Sequence, residues 1–412
     1  MWQLLICSGF CLLFGNSAIA KYSTHDEAGV AAVFGLYAAY SKVVADCGTP
    51  IRPAFLCSGL FLRGTVYSDL YRFWNPGPAS KEASAFSWLR KDASFRQLAS
   101  DHRHGYVIWS MFYAPDDDLK LQVLCAFPMD AGSHNRSDGG CGDFVATAQV
   151  ERSCQGMGIT TAKAWRDDYI LNAKSHYRQC GFELRPDRES ASANAFMQFV
   201  ASHAFPEVVS EHFATVGLSN NEVRIASWPQ SDGSRVPIWV IFWISKDTVT
   251  GAPSEVGKSE AQKDQIALYE YSGKYVPVVR ITLPSSPSEE ATFFYAPEDQ
   301  AQLVNVQCRR FIDKAQWVNR YDPGVRVNRW TLEITPTDCG RLSQADQLDK
   351  FYAEVVAKYG NDAQWVAEYQ GGVRRQLACV LATYRTKDTY NLEPFRRDAS
   401  QAEAVAAGCN VI

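Results

Sequence analysis

Apolar residues recur at helical spacing from Glu27 to Val44 (Val30, Val33, Phe34, Leu36, Tyr37, Tyr40, Val43 and Val44), which predicts an amphipathic helix. The pattern then shortens to that of strands. Phe55–Val66 is a strand-like run, and Tyr106–Tyr113 and Leu119–Phe127 predict two more, separated by the turn Ala114-Pro115-Asp116-Asp117-Asp118. Asp130–Asp143, rich in Gly, Ser and Asp, reads as a loop. Helical spacing returns over Thr161–Ala173, with Ala164, Trp165, Tyr169 and Ile170 on one side, and over Ala191–Val209. Strands follow at Glu222–Trp228 and Pro237–Ile244, then a polar loop at Thr248–Lys258 and a helix at Glu260–Tyr271. Tyr275–Leu283 alternates as a strand does, Ser285–Glu290 is a turn, and Ala291–Tyr295 is a further strand.

The polar run from Ala296 to Gln302 divides the mature chain's cysteines into six before and four after. Both counts are even, so each side can close its own bridges, and a domain boundary is expected near residue 301. Beyond it the pattern predicts a short helix at Cys308–Val318, a strand at Arg329–Thr335 and a helix at Ala345–Tyr359. Strands and helices intermix without a regular βαβ series, so the expected fold class is α+β. The expected organisation is a leader at 1–20, a main domain at 21–300 and a small domain at 301–412.

The leader reading rests on residues Met1–Ala20, which carry no charge, are mostly apolar from Trp2 to Phe14, and end in Ala18-Ile19-Ala20. A small-x-small ending of that kind is what a signal peptidase reads, and the apolar run is shorter than the roughly 20 residues of a bilayer span. Export is therefore expected, to the medium or the periplasm. Loss of the leader removes Cys7 and Cys11 and leaves ten cysteines, none in a CxxC pair. An even set in an exported chain reads as disulfides rather than zinc ligands or a redox motif, each contributing about 2–4 kcal/mol. The pairing is not readable from spacing.

With 46% hydrophobic and 21% charged residues the 412-residue chain can bury a core. Its 41 basic against 45 acidic side chains give a net charge of -4, which supplies no general attraction to nucleic acid or anionic membrane. No G-x-S-x-G, HExxH or Walker loop is present. His102 and His104 fall on one side of a strand and read as a solvated pair, Asp116-Asp117-Asp118 as a solvated turn, and Asn135-Arg136-Ser137 matches a glycosylation sequon. No metal site is expected.

One constellation carries chemistry. Leu60-Phe61-Leu62-Arg63-Gly64-Thr65 is an apolar strand ending in an arginine, whose fork suits phosphate, followed by a glycine that lets a ligand approach the backbone. Ala85-Phe86-Ser87-Trp88-Leu89-Arg90 sets a hydroxyl between two aromatic rings that could stack on a flat base. Asn221-Glu222-Val223-Arg224 opens a late strand with a carboxylate. Each string alone has a plain structural reading: a strand-end salt bridge for Arg63, a surface hydroxyl for Ser87, a turn residue for Glu222.

In order and spacing this set resembles the Arg–Ser–Glu layout of the cholera-toxin-like ADP-ribosyltransferases. The resemblance implies that Arg63 holds NAD phosphate, Ser87 supports the nicotinamide pocket, and Glu222 binds the ribose and stabilises the oxocarbenium-like centre left as nicotinamide departs. The physical basis is general, since a fixed carboxylate beside a sugar carbon gaining positive charge lowers the barrier.

Further strings extend the likeness: Asp46-Cys47-Gly48, Leu56-Cys57-Ser58-Gly59, Trp74-Asn75-Pro76, His104-Gly105-Tyr106-Val107-Ile108, Gly158-Ile159-Thr160-Thr161-Ala162, Gln179-Cys180-Gly181-Phe182 and Tyr275-Val276-Pro277-Val278. Together they resemble the halovibrin family of exported bacterial NAD-consuming proteins over about residues 40 to 295. The chain departs from that family at Glu82-Ala83-Ser84-Ala85, where a Gly-Gly would be usual. Cys308, Phe311–Trp317, Trp330-Thr331-Leu332, Gln376–Cys379, Asn391–Pro394 and Cys409 resemble a small C-terminal domain of unknown function in secreted bacterial proteins. Its Trp and Tyr residues are expected mainly in a core.

The resemblance implies an ADP-ribosyltransferase-like mixed β-sheet domain, followed by a small disulfide-rich α+β domain. It implies a secreted NAD glycohydrolase, with Glu222, Ser87 and Arg63 catalytic and Arg63, Gly64, Phe86 and Trp88 binding substrate. NAD is then the substrate, and no cofactor is implied. Asn220 stands where arginine-modifying relatives carry a second Glu, which leans toward hydrolysis. The alternatives are a mono-ADP-ribosyltransferase toxin with a host or competitor protein as target, and a disulfide-stapled adhesion or recognition protein without catalysis.

Overall fold

A 17-residue helix, α1 (His25–Ser41), packs Ala32, Leu36, Ala39 and Tyr40 onto one face of a nine-stranded mixed sheet. The computed structural model describes residues 25–44, 57–65, 83–91, 102–108, 123–127, 154, 157–169, 171, 180–183, 221–226, 238–246, 252–284, 289–303, 306–365 and 371–411. The leader 1–20, the turn 114–118, the loop 130–143 with its sequon, the helix 191–209, Cys47, Cys141 and Asn220 lie outside them.

The strands are β1 (Leu60–Thr65), β2 (Ala83–Leu89), β3 (His104–Ile108), β4 (Val123–Phe127), β5 (Phe182–Glu183), β6 (Glu222–Ala226), β7 (Ile238–Ile244), β8 (Val278–Thr282) and β9 (Thr292–Tyr295). Their order across the sheet is β5-β4-β6-β2-β1-β3-β7-β8-β9. Between β4 and β5 the short helix α2 (Ala162–Asp168) is capped by Thr161, whose Oγ1 accepts from the Ala164 N–H at 3.1 Å. The continuous apolar run Ile238-Trp239-Val240-Ile241-Phe242-Trp243-Ile244 suits a strand covered on both faces. It pairs in parallel with β8, and the crossover this demands is α3 (Lys258–Ser272). Leu60, Leu62, Leu89, Val107, Val240 and Phe242 meet α1, while α3 packs on the opposite face.

Helix α3 ends at Gly273, which takes a left-handed φ of 70°. A Cβ there would stand 2.4 Å from the Arg310 carbonyl oxygen, so the helix end and the C-terminal segment touch backbone to backbone. The polar run after β9 is held in place rather than loose. Gln300 Oε1 accepts from the Val278 N–H at 2.8 Å, its Nε2 donates back to Val278 O at 2.8 Å, and Lys258 pairs with Asp299 at 2.6 Å.

Beyond it, β10 (Ile312–Asp322), β11 (Val327–Pro336) and β12 (Tyr390–Leu392) form a second antiparallel sheet. Around it lie α4 (Asp338–Leu342), α5 (Leu348–Tyr359), α6 (Gly372–Thr383) and α7 (Gln401–Ala406). The helix expected at Cys308–Val318 is wrong: from Ile312 the chain is strand. Lys314 and Gln316 are exposed while Ala315 and Trp317 turn inward, a period of two, and the Asp322-Pro323-Gly324 turn folds β11 back along its whole length. The Asp322 Oδ1 accepts from the N–H groups of Gly324 and Val325 at 2.7 and 3.0 Å, fixing that turn.

Cys154–Cys180, Cys308–Cys339 and Cys379–Cys409 are disulfides, so the four late cysteines do close among themselves. Cys57 and Cys125 are also disulfide-bonded, to partners outside the described residues. The fold class is α+β, with one large mixed sheet and one small sheet. Among the described residues no helix is long and apolar enough to cross a membrane.

Candidate functional site

Strands β6, β2 and β1 are neighbours in that order, which puts Glu222, Ser87 and Arg63 on three consecutive strands although they are scattered in sequence. Leu62 faces Ser87 across β1 and β2, and Phe86 faces Val223 across β2 and β6. One step along each ladder, Arg63 comes level with Phe86 and Ser87 with Glu222. The side chain of Asn221 extends this pairing: its Oδ1 accepts from the Trp88 N–H at 2.8 Å and its Nδ2 donates to Trp88 O at 2.9 Å.

Cross-strand partners share a face and successive residues alternate. Ser87 and Glu222 therefore emerge together with Leu62, on the face that carries α1. Arg63 emerges on the other, with Phe86 and its partner Tyr106. Ser87 and Glu222 are each only 4% exposed. The Glu222 carboxylate has the Arg224 guanidinium 3.3 Å away, an i,i+2 pair on one side of β6 that offsets the cost of burying either charge.

Arg63 and Gly64 are half-buried. Arg63 donates from Nη1 to the Ala85 carbonyl oxygen at 2.8 Å, and its buried Nε has no hydrogen-bond partner among the described residues. Among the described residues no carboxylate pairs with it, so the plain salt-bridge reading of Arg63 is not what holds it. Gly64 lies opposite Gly105, and a Cβ on Gly105 would fall 1.9 Å from the Arg63 carbonyl oxygen. This glycine pair lets β1 and β3 close up at the level of the arginine. Phe86 and Trp88 are buried, and the Trp88 ring is already engaged, donating from Nε1 to Ser58 O at 3.0 Å and lying 4.8 Å from the Arg90 guanidinium.

His104 is not solvated, contrary to expectation. It points into the interface between β3 and α3, 1% exposed, with Nδ1 3.0 Å from Asp264 Oδ2 and Thr65 Oγ1 at 3.3 Å. Sequence reasoning passed over Asp264. Its signal was a lone acid within the inward stripe Ala261, Gln265 and Leu268 of α3. Tyr106, two residues along β3 on the same face, has its hydroxyl pushed up to about 12, first by burial and further by Asp264, against the opposing pull of Arg63. Among the described residues no group of His, Cys, Asp or Glu is placed to hold a metal ion.

Residues 312–411 match the family described as "Protein of unknown function (DUF2599)". That region spans β10 through α7, with its own sheet and the Cys379–Cys409 disulfide. No curated protein matches the chain.

Proposed function

We propose that this chain is an exported NAD glycohydrolase that cleaves the bond between nicotinamide and ribose. The observation that carries the reading is the alignment of Glu222, Ser87 and Arg63 on three consecutive strands within one register step. Three segments as far apart as 63, 87 and 222 have no local reason to meet there. The disulfides support export, because such bonds persist in oxidising compartments.

In this reading Glu222 faces the ribose carbon as its bond to nicotinamide breaks, and its fixed charge stabilises the developing cation. Ser87, on the same face and level with it, braces the carboxylate. Nicotinamide leaves with the bonding pair, water attacks the cation, and the proton it sheds passes to solvent. On the opposite face, the unserved Arg63 Nε is a donor for a phosphate oxygen only where the dinucleotide runs past the sheet to that side. Phe86 and Trp88 stiffen β2 rather than stack on the base. A protein side chain in place of water would make the same site an ADP-ribosyltransferase.

A second reading is favoured by one specific feature, the placement of Arg63 on the opposite sheet face from Ser87 and Glu222. It makes the cluster structural and the protein a disulfide-stapled recognition module. Nicotinamide release from NAD by the purified mature chain separates the two. Turnover lost in Glu222→Gln, with the fold intact, supports cleavage. A folded wild type that is inert toward NAD from acid to alkaline pH leaves the recognition module.

A further inference from the structure

The C-terminal region holds a cavity of about 330 Å³ walled by the β10–β11 turn, β12, the end of α6 and the last residues of the chain. Ligand pockets span about 300–1,000 Å³, so this one has room for a small molecule. None of the residues proposed for NAD cleavage lines it.

Its floor is a closed ionic network. Arg396, 5% exposed, donates to both Asp322 and Glu393, and the second Glu393 oxygen accepts from Thr331 Oγ1 at 3.3 Å. Both carboxylates of the lining are thus already satisfied. Arg320 is likewise committed, to Glu333 at 3.3 Å. Two cations remain: Arg329 and Lys387 line the cavity, are exposed, and make no ion pair among the described residues. Each rests only near a ring, Arg329 5.6 Å from Phe395 and Lys387 4.1 Å from Tyr384.

A third group is also uncommitted. Asn391 Oδ1 is buried in the wall and accepts no hydrogen bond among the described residues. A buried acceptor left in that state calls for a donor from outside the protein. The cavity therefore offers two positive charges at its mouth and an acceptor inside. A simple inorganic anion without an O–H group, such as sulfate, would meet the cations and leave the acceptor unserved. A neutral sugar would do the reverse.

We infer that this cavity is a binding site for an anionic saccharide, one whose acidic group meets Arg329 and Lys387 while a ring hydroxyl donates to Asn391. Carboxylated and phosphorylated sugars share that chemistry. The site is independent of NAD cleavage and stands whether or not the main domain proves catalytic.

Calorimetric titration of the whole mature protein tests it, with glucuronate, glucose 6-phosphate, glucose and inorganic phosphate as probes. Saturable binding of glucuronate or glucose 6-phosphate is expected, weakened at least tenfold by Arg329→Ala/Lys387→Ala and by Asn391→Leu, and which of the two binds names the acid. The double variant changes exposed side chains only, and unchanged circular dichroism certifies its fold. The inference is overturned if neither acidic sugar binds, if glucose or phosphate binds as tightly, or if the folded variants bind like wild type.

Discussion

His104 Nδ1 lies 3.0 Å from Asp264 Oδ2 with both side chains buried, so a buried polar contact ties strand β3 to helix α3. Removing the acid strips the buried His104 Nδ1 of its nearest partner and leaves only the Thr65 hydroxyl, at 3.3 Å, beside it. Asp264→Leu is expected to lower stability by about 1–3 kcal/mol, the cost of an unsatisfied buried polar group. Asp264→Asn, which keeps an acceptor, should lose less. The shift in urea midpoint at constant slope reads both.

Glu222 and Arg224 test catalysis against architecture. Glu222→Gln is expected to lower the NAD turnover number by about 100-fold or more, the scale of losing one fixed electrostatic stabiliser, with KM little changed. The same change strips a buried guanidinium of its partner and lowers stability. Adding Arg224→Met should restore the thermal midpoint but not the turnover. Recovery of both would make Glu222 purely structural.

Gly105 has no room for a side chain, because its Cβ would meet the Arg63 carbonyl oxygen at 1.9 Å. Gly105→Ala must therefore push β1 away from β3. A loss of about 1–3 kcal/mol is expected, as for other overpacked sites, visible as a lower melting temperature. Because the displaced backbone is that of Arg63, KM for NAD should rise more than in Asp264→Asn.

Burial pushes the hydroxyls of Tyr106 and Tyr275 up to about 12 from 10.0. Above pH 10 the unfolded chain sheds these protons while the folded chain keeps them. Stability that is full below pH 10 should fall steadily until about pH 12. Tyrosinate absorbance of the native protein, compared with that in urea, checks the window, and Tyr275→Phe should flatten the decline.

Much of the strand and helix pattern was legible because each element had one dominant period. The run Ile238–Ile244 and the alternation of Val278–Thr282 left little choice, and α1 and α3 fall where their spacing placed them. Cys308–Val318 misled because Phe311, Ala315 and Val318 also satisfy helical spacing, and only the turn at Asp322-Pro323-Gly324 supplies the partner strand that decides the matter. For the site, the sequence could indicate the residues but not the sheet order that makes β6, β2 and β1 neighbours. Nor could it fix the register, and a one-residue difference sends a side chain to the other face. The C-terminal cavity was invisible for the same reason, since Arg329 lies on β11, Asn391 on β12 and Lys387 in the connection before it.

Helix α3 serves two interiors at once. Asp264 faces the large sheet, whereas Tyr269 belongs to the apolar cluster built by Phe311, Leu332, Ile334 and Leu377. Recombination that spliced a different partner on at residue 301 would leave that cluster without its tyrosine wall. The natural unit of exchange for the C-terminal region is therefore larger than its sheet and helices, because it includes the end of a helix that also roofs the large sheet.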